Sequence, residues 1–154
     1  MNHLLYTVVL CLFVLLSSCT SHERISLAYE DIDIEYLYKE SIASRYYFSI
    51  YREVRVSRGN QELKFDLLPD IEMLDEARFF YTEDLLLDDT AYERVLLIKD
   101  PFAFAIIDLE EMVLLYNSHG EDNILDRITL QQQEKCIGKV ADGKLLLNNC
   151  LVEF

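Results

Sequence analysis

The chain has few of the residues that build tight ligand loops: four glycines and two prolines in 154 residues. It has no Gly-rich phosphate loop and no dinucleotide fingerprint. The G-x-S-x-G elbow of a serine hydrolase is also missing. Its three histidines, His3, His22 and His119, are far apart in the sequence, and no His/Cys/Glu group has zinc-ligand spacing. Basic residues are scarce too, fourteen against twenty-eight acids, for a net charge of −14. That deficit argues against nucleic acid, whose phosphates must be met by Lys and Arg. It argues equally against electrostatic docking of the whole protein on anionic lipid.

Apolar residues make up 51% of the chain, with ten Tyr and eight Phe, so a packed core is affordable and disorder is excluded. There is no internal repeat or low-complexity tract.

Residues Leu4 to Leu16 form an apolar run broken only by Thr7, followed by Ser17-Ser18-Cys19. The run is shorter than the ~20 residues a helix needs to span hydrocarbon. It has the length of a signal-peptide hydrophobic region, and small Ser17 and Ser18 suit a cleavage site. Leu16-Ser17-Ser18-Cys19 resembles the lipobox of bacterial lipoproteins. The resemblance implies lipidation of Cys19, cleavage after Ser18, and a bacterial cell-envelope protein held by two or more acyl chains, which make a stable anchor. With no Asp at the second mature position, it also implies the outer membrane, facing the periplasm. The start of the chain departs from that pattern, with His3 and the terminal amine in place of Lys or Arg; an uncleaved anchor or an ordinary signal peptide with a chance cysteine is the alternative. The expected organisation is a signal peptide over 1–18, a lipid tether over 19–27 and a single globular domain over 28–154.

In that reading Cys11 leaves with the signal, and Cys136 and Cys150 remain as an even pair in an oxidising compartment, where a disulfide is the default. Asp142-Gly143 between them is a hairpin turn signal. A two-residue loop would set Cys136 opposite Asn149, so a bulge near Asn148-Asn149 or a three-residue loop through Lys144 is expected.

Alternation of Ile32, Ile34, Tyr36 and Tyr38 with Asp31, Asp33 and Glu35 predicts a strand with one wet face. The Asp31-x-Asp33-x-Glu35 spacing lacks the glycine and distal Glu of a calcium loop. Tyr46–Ser57 and Glu62–Leu68 predict a hairpin turning at Gly59-Asn60, with Val56 opposite Leu63, Val54 opposite Phe65, Arg52 opposite Leu67 and Arg55 opposite Lys64. Its Arg45, Arg52, Arg55, Arg58 and Lys64 make it the one basic element, expected to pair with the acidic middle of the chain. Strands are predicted over 77–81, 94–99, 102–109 and 112–117. A helical turn over 83–92 capped by Thr82 is expected. Residues 123–134 are read as a helix, with a strand through Ile128 and Leu130 as the alternative. Phe104 and Ile106 alternate with Ala105 and Ile107, so this strand is expected to be buried on both faces. The fold class is therefore mainly β (α+β): an antiparallel meander or sandwich-like sheet with one or two short helices.

The charge is concentrated. Residues 66–126 hold seventeen acids against Arg78, Arg94 and Lys99, net −14, with net −1 over 19–65 and net +1 over 127–154. Carboxylate pairs such as Asp88-Asp89 and Glu110-Glu111 could in principle serve a glycosidase, but so many acids give chance pairs, and no catalysis, cofactor or metal is expected. Glu83, Asp84, Asp88, Asp89, Glu110 and Glu111 are the candidate contacts for a basic protein partner. Immunity lipoproteins that neutralise envelope toxins share this general make-up. The competing reading is a structural or assembly lipoprotein of an envelope complex.

If Cys19 is the lipid site, labelled palmitate will be incorporated by the full chain and lost in Cys19→Ala. Equal label in the two proteins would exclude it.

Overall fold

The computed structural model describes residues 20–44, 47–67, 77–99, 103–119, 124–130, 132–141 and 144–146. The signal region, Cys19 and Cys150 lie outside them. Among the described residues no helix is long and apolar enough to cross a membrane.

Two antiparallel sheets stack face to face. The first is a meander of β1 (Thr20–Tyr29), β2 (Ile32–Ser44), β3 (Tyr47–Arg58) and β4 (Gln61–Asp66). The second runs β11-β10-β5-β6-β7-β8. Its strands are β5 (Ala77–Leu87), β6 (Thr90–Lys99), β7 (Ala103–Asp108), β8 (Val113–His119), β10 (Lys135–Ala141) and β11 (Lys144–Leu146). One helical turn, α1 (Ile124–Arg127), leads into β9 (Ile128–Leu130). The mainly β class follows from the sequence alternation and is what the structure has.

The β3–β4 hairpin has the expected register: Val56 faces Leu63, Val54 faces Phe65 and Arg55 faces Lys64. Leu67 N donates to Arg52 O at 2.7 Å, which continues it. Gly59 opens the turn at φ +59°, a conformation that costs an L side chain but not glycine. Arg55, opposite Lys64, is offset by Glu35 and Glu62, each at 3.6 Å, and by Glu53 at 3.8 Å.

Three expectations are corrected. Residues 20–27 are not a tether but most of β1, whose Ile25 and Leu27 are buried while Arg24 and Ser26 are exposed. The expected helical turn over 83–92 is a β-hairpin. Leu87 pairs with Thr90 around Asp88 and Asp89, both left-handed (φ 49° and 64°), as a two-residue hairpin turn requires. Asp tolerates that conformation better than most residues. Thr82 is buried, and its hydroxyl donates to Glu83 O instead of capping a helix. The helix over 123–134 is reduced to α1, and the strand alternative prevails from Ile128. The reason lies in β5. Its outer edge pairs with β10 over Ala77–Tyr81 and is open beyond, so Ile128–Leu130 fills the vacant edge opposite Leu87–Leu85. Backbone hydrogen bonds to a waiting edge outweigh the weak propensity of a short helix.

The core forms in two layers. Between the sheets lie Ile25, Leu27, Ile32, Ile34, Tyr36, Val54 and Val56 from one, and Phe79, Leu96, Ile98, Ala105 and Ile107 from the other. On the far side of the second sheet, Phe80, Leu85, Val95, Leu97, Ile106 and Ile124 make a separate cluster. Strand β7 is thus covered on both faces, with Ala105 and Ile107 under the first sheet and Ile106 in the outer cluster. Strand β1 lies over β10, where a Cβ at Gly138 would meet Leu27 Cδ2 at 3.0 Å. Next to that close approach, β10 has one extra residue between Cys136 and Gly138 relative to β5. At the opposite edge Asn117 of β8 donates to Asp66 O of β4 at 2.8 Å. The β10–β11 hairpin pairs Ala141 with Lys144, so the turn signal at Asp142-Gly143 holds and the alternative of a three-residue loop through Lys144 does not, because Lys144 is already paired in the ladder. Cys136 is half-buried against the outer cluster; the bulge expected at Asn148-Asn149 lies outside the described residues.

Leu97 is fully buried in the outer cluster, whereas Val113 is 47% exposed. Leu97→Ala is expected to cost about 2–5 kcal/mol and Val113→Ala less than about 0.5 kcal/mol, measured by urea unfolding. Equal, small losses would show that the outer face of the second sheet is not a packed layer.

Candidate functional site

Three hairpin turns meet at one end of the sandwich. Glu30 and Asp31 form the β1–β2 turn, with Glu30 left-handed (φ 53°). Arg58 enters the β3–β4 turn. Leu109–Met112 form the β7–β8 loop, in which Asp108 Oδ1 accepts from Glu110 N at 2.8 Å and so fixes its first half. The sequence places charged residues at all three turns, and the stacking of the sheets brings them together.

The centre is an ion cluster joining both sheets. Arg58 Nε donates to Asp31 Oδ2 at 2.8 Å, and its Nη1 donates to Leu109 O at 2.7 Å and to Glu110 Oε2 at 3.1 Å. Arg94 reaches the same two acids, donating to both Asp31 oxygens and to Glu110 Oε1 at 3.3 Å. Its Nε donates to Tyr81 Oη at 3.2 Å, and its Nη2 lies 3.5 Å from Glu30. Tyr81 in turn donates to Glu83 Oε1 at 3.3 Å. A neighbouring stitch has Lys135 Nζ donating to Tyr29 Oη at 2.9 Å, with Tyr29 packed 5.2 Å from the Tyr81 ring.

Hydrogen bonds from Arg94, then from Arg58, hold the Asp31 carboxyl well below the ordinary aspartate range. Asp31, and then Glu110, raise Arg58; Asp31, followed by Tyr81, raises Arg94. Burial pushes the Tyr81 phenol up, against the opposing effect of Arg94. Asp31, Arg58 and Arg94 are thus held charged and Tyr81 held as a neutral phenol, which suits fixed structure rather than proton transfer, since that needs a pKa near the working pH. Among the described residues no group of three or more His, Cys, Asp or Glu side chains could hold a metal.

The six sequence candidates divide. Glu110 is spent inside the cluster. Asp88 is bound by Arg127, whose Nε donates to Asp88 Oδ1 at 2.9 Å, and the same contact lowers the Asp88 carboxyl. Asp84 accepts from Gln132 at 2.9 Å, where β5 passes from β10 to β9. Glu83, Asp89 and Glu111 are exposed. Strand β6 leads from Asp89 to Arg94, so the Asp88-Asp89 turn stands beyond the cluster at the same end. Sequence reasoning missed Asp31, Arg58, Arg94 and Tyr81 as one group, although pairing of the basic hairpin with the acidic middle pointed to Arg58 and Glu110. Glu30 and Glu93 were also missed as exposed acids of this end. Cys136 is placed on β10.

No family model, curated protein or solved structure matches this chain.

Because Asp31 is depressed in the fold, its stabilising effect is present above the ordinary aspartate pKa of ~3.9. It is lost as pH falls through the lower folded value. Asp31→Asn should lower the melting temperature at pH 7, and the gap to the unaltered protein should close progressively below about pH 4. A gap of constant size from pH 7 to pH 2 would show that the Arg58–Asp31–Arg94 contacts add nothing.

Proposed function

We propose that this protein is an acidic binding module of the bacterial cell envelope, lipid-anchored at Cys19, that captures a basic protein with the end of the sandwich carrying the ion cluster. In this reading the mature chain faces the periplasm from the outer membrane, and a Cys136–Cys150 disulfide braces the β10–β11 edge. The role is binding without catalysis, and an immunity-type neutralising protein is its most specific form.

The observation that carries the proposal is the division of charge at the cluster end. Arg58 and Arg94 engage Glu30, Asp31 and Glu110, while Asp89, Glu93 and Glu111 are exposed and make no ion pair among the described residues. Exposed like charges repel and reduce the stability of a compact state. Their gathering beside two fixed guanidiniums gives a patterned acidic surface that a basic partner could match, and such fields raise association rates about 10-fold or more. The second reading, a structural or assembly lipoprotein, needs no such surface; there the acids serve only solubility.

Glu83→Gln, Asp89→Asn and Glu111→Gln together remove exposed charge while sparing every Arg contact, and Asn keeps the left-handed turn. The association rate of a basic envelope protein retained by the immobilised chain should fall about 10-fold in this variant. It should fall comparably on going from low salt to about 0.5 M, where screening shortens to ~4 Å. A rate unchanged by both would reject the binding surface in favour of the structural reading.

A further inference from the structure

Four strands end the two sheets: β1 and β4 in the first, β11 and β8 in the second. An outermost strand presents a row of main-chain donors and acceptors that another chain can pair with, and charged side chains are a common guard against it. Three of the four carry such a guard: Arg24 on β1, Lys64 on β4 and Lys144 on β11. Strand β8 has no Asp, Glu, Lys, Arg or Pro in its seven residues. Among the described residues it pairs only with β7, and Val113 at its start is 47% exposed.

The surroundings of this edge are acidic. Glu111, two residues before Val113, is exposed and in no ion pair among the described residues. Toward the other end, the hydrogen bond from Asn117 to Asp66 O brings Asp66 of β4 beside the strand. Its carboxylate too is exposed and in no ion pair among the described residues. Val113 and Asn117 pair with Asp108 and Ala105 of β7, so about 10 Å of edge lies between them. Arg127, whose guanidinium lies over the Tyr116 ring, is bound by Asp88. A second copy fits this edge poorly. Two β8 strands paired about a two-fold axis would set Glu111 of each copy near Asp66 of the other, and like charges facing across an interface oppose it. A basic segment has the opposite sign at both places.

We propose that β8 is a docking edge for an extended, basic segment of a partner protein, which adds to the second sheet as a further strand. Main-chain hydrogen bonds along Val113–Asn117 supply the affinity, and Lys or Arg near each end of the segment meets Glu111 and Asp66. Side chains of the added strand fall alternately on the two faces of the sheet, so β-branched residues between the bases suit it. The inference goes beyond the acidic end of the sandwich. Recognition here is through the main chain, Asp66 is no part of that end, and Glu111 alone is common to both.

The probe is the peptide acetyl-Lys-Val-Thr-Val-Thr-Val-Lys-amide, fluorescently labelled and titrated with the full-length chain. It should bind about tenfold more tightly than the same peptide with Glu in place of Lys. In Asp66→Lys combined with Glu111→Lys, which alters only exposed side chains, that order should reverse. A strand pairs through one of its edges. N-methylation of either the Val amides or the Thr amides should therefore weaken binding about tenfold, and N-methylation of the other set should leave it unchanged. Hydrogen exchange of the Val113–Asn117 amides should slow on binding, and that of β1 and β4 should not. Should the double reversal lose its thermal unfolding transition, the N-methyl and exchange measurements on the unaltered chain decide. Equal binding by both N-methylated forms, no binding of the Lys peptide, or slowed exchange elsewhere overturns the strand addition and leaves the acidic-end reading standing. A dimer in sedimentation whose β8 amides lose protection on dilution would make a second copy the occupant, and overturns it too.

Discussion

The second sheet is apolar on both faces, and that requirement shapes the molecule. Leu96 and Ile98 alternate with Val95 and Leu97, and all four are fully buried. Each such side chain contributes roughly 1.5–3 kcal/mol when removed from water, so neither face can be left bare. One face takes the whole four-stranded first sheet as its cover. The other takes α1 and the side chains around it. Ala105, small and central, lets the first sheet approach where Phe104, on the opposite face, is only half-buried. Gly138 does the same under β1. The amphipathic first sheet, wet on its outer face, is a lid in this sense, and its alternation is the counterpart of the unbroken apolar run beneath.

Around that apolar contact the charges arrange themselves by access. In the first sheet, Arg55, Lys64, Glu35, Glu53 and Glu62 neutralise one another on the wet face. Such exposed pairs add little stability singly. Arg58 and Arg94 differ because they share two carboxylates across the sheet–sheet seam and also satisfy a main-chain carbonyl and a phenol. Their function is to fix how the sheets register at one end, as Asn117 with Asp66 does at an edge. The acids that remain exposed are then displayed on a firm frame, which a binding surface needs if it is not to spend affinity on ordering itself.

The sequence by itself determined the class of fold, the β3–β4 register and the two-sided burial of β7, because each follows from local alternation plus a turn signal. A one-residue slip would put Val54 and Val56 on the face opposite Leu63 and Phe65, and the turn at Gly59-Asn60 selects among the registers that remain. It also determined which segment holds the charge. It did not reveal the β5–β6 hairpin: Asp88-Asp89 lacks the glycine that marks such turns, and Leu85-Leu86-Leu87 has no period. Nor did it reveal β9, whose strand state exists only because β10 leaves part of the β5 edge unpaired. Strand β1 was hidden by an apolar alternation of just Ile25, Leu27 and Tyr29 beside the lipobox. Tertiary structure alone decided which acids are spent and which are displayed. Asp31, Arg58, Arg94 and Glu110 are up to seventy-nine positions apart (110 − 31 = 79), and an ion cluster of that span is a property of how two sheets stack. Local sequence carries no record of it, because Coulomb interactions act over a few ångströms of space whatever the separation along the chain.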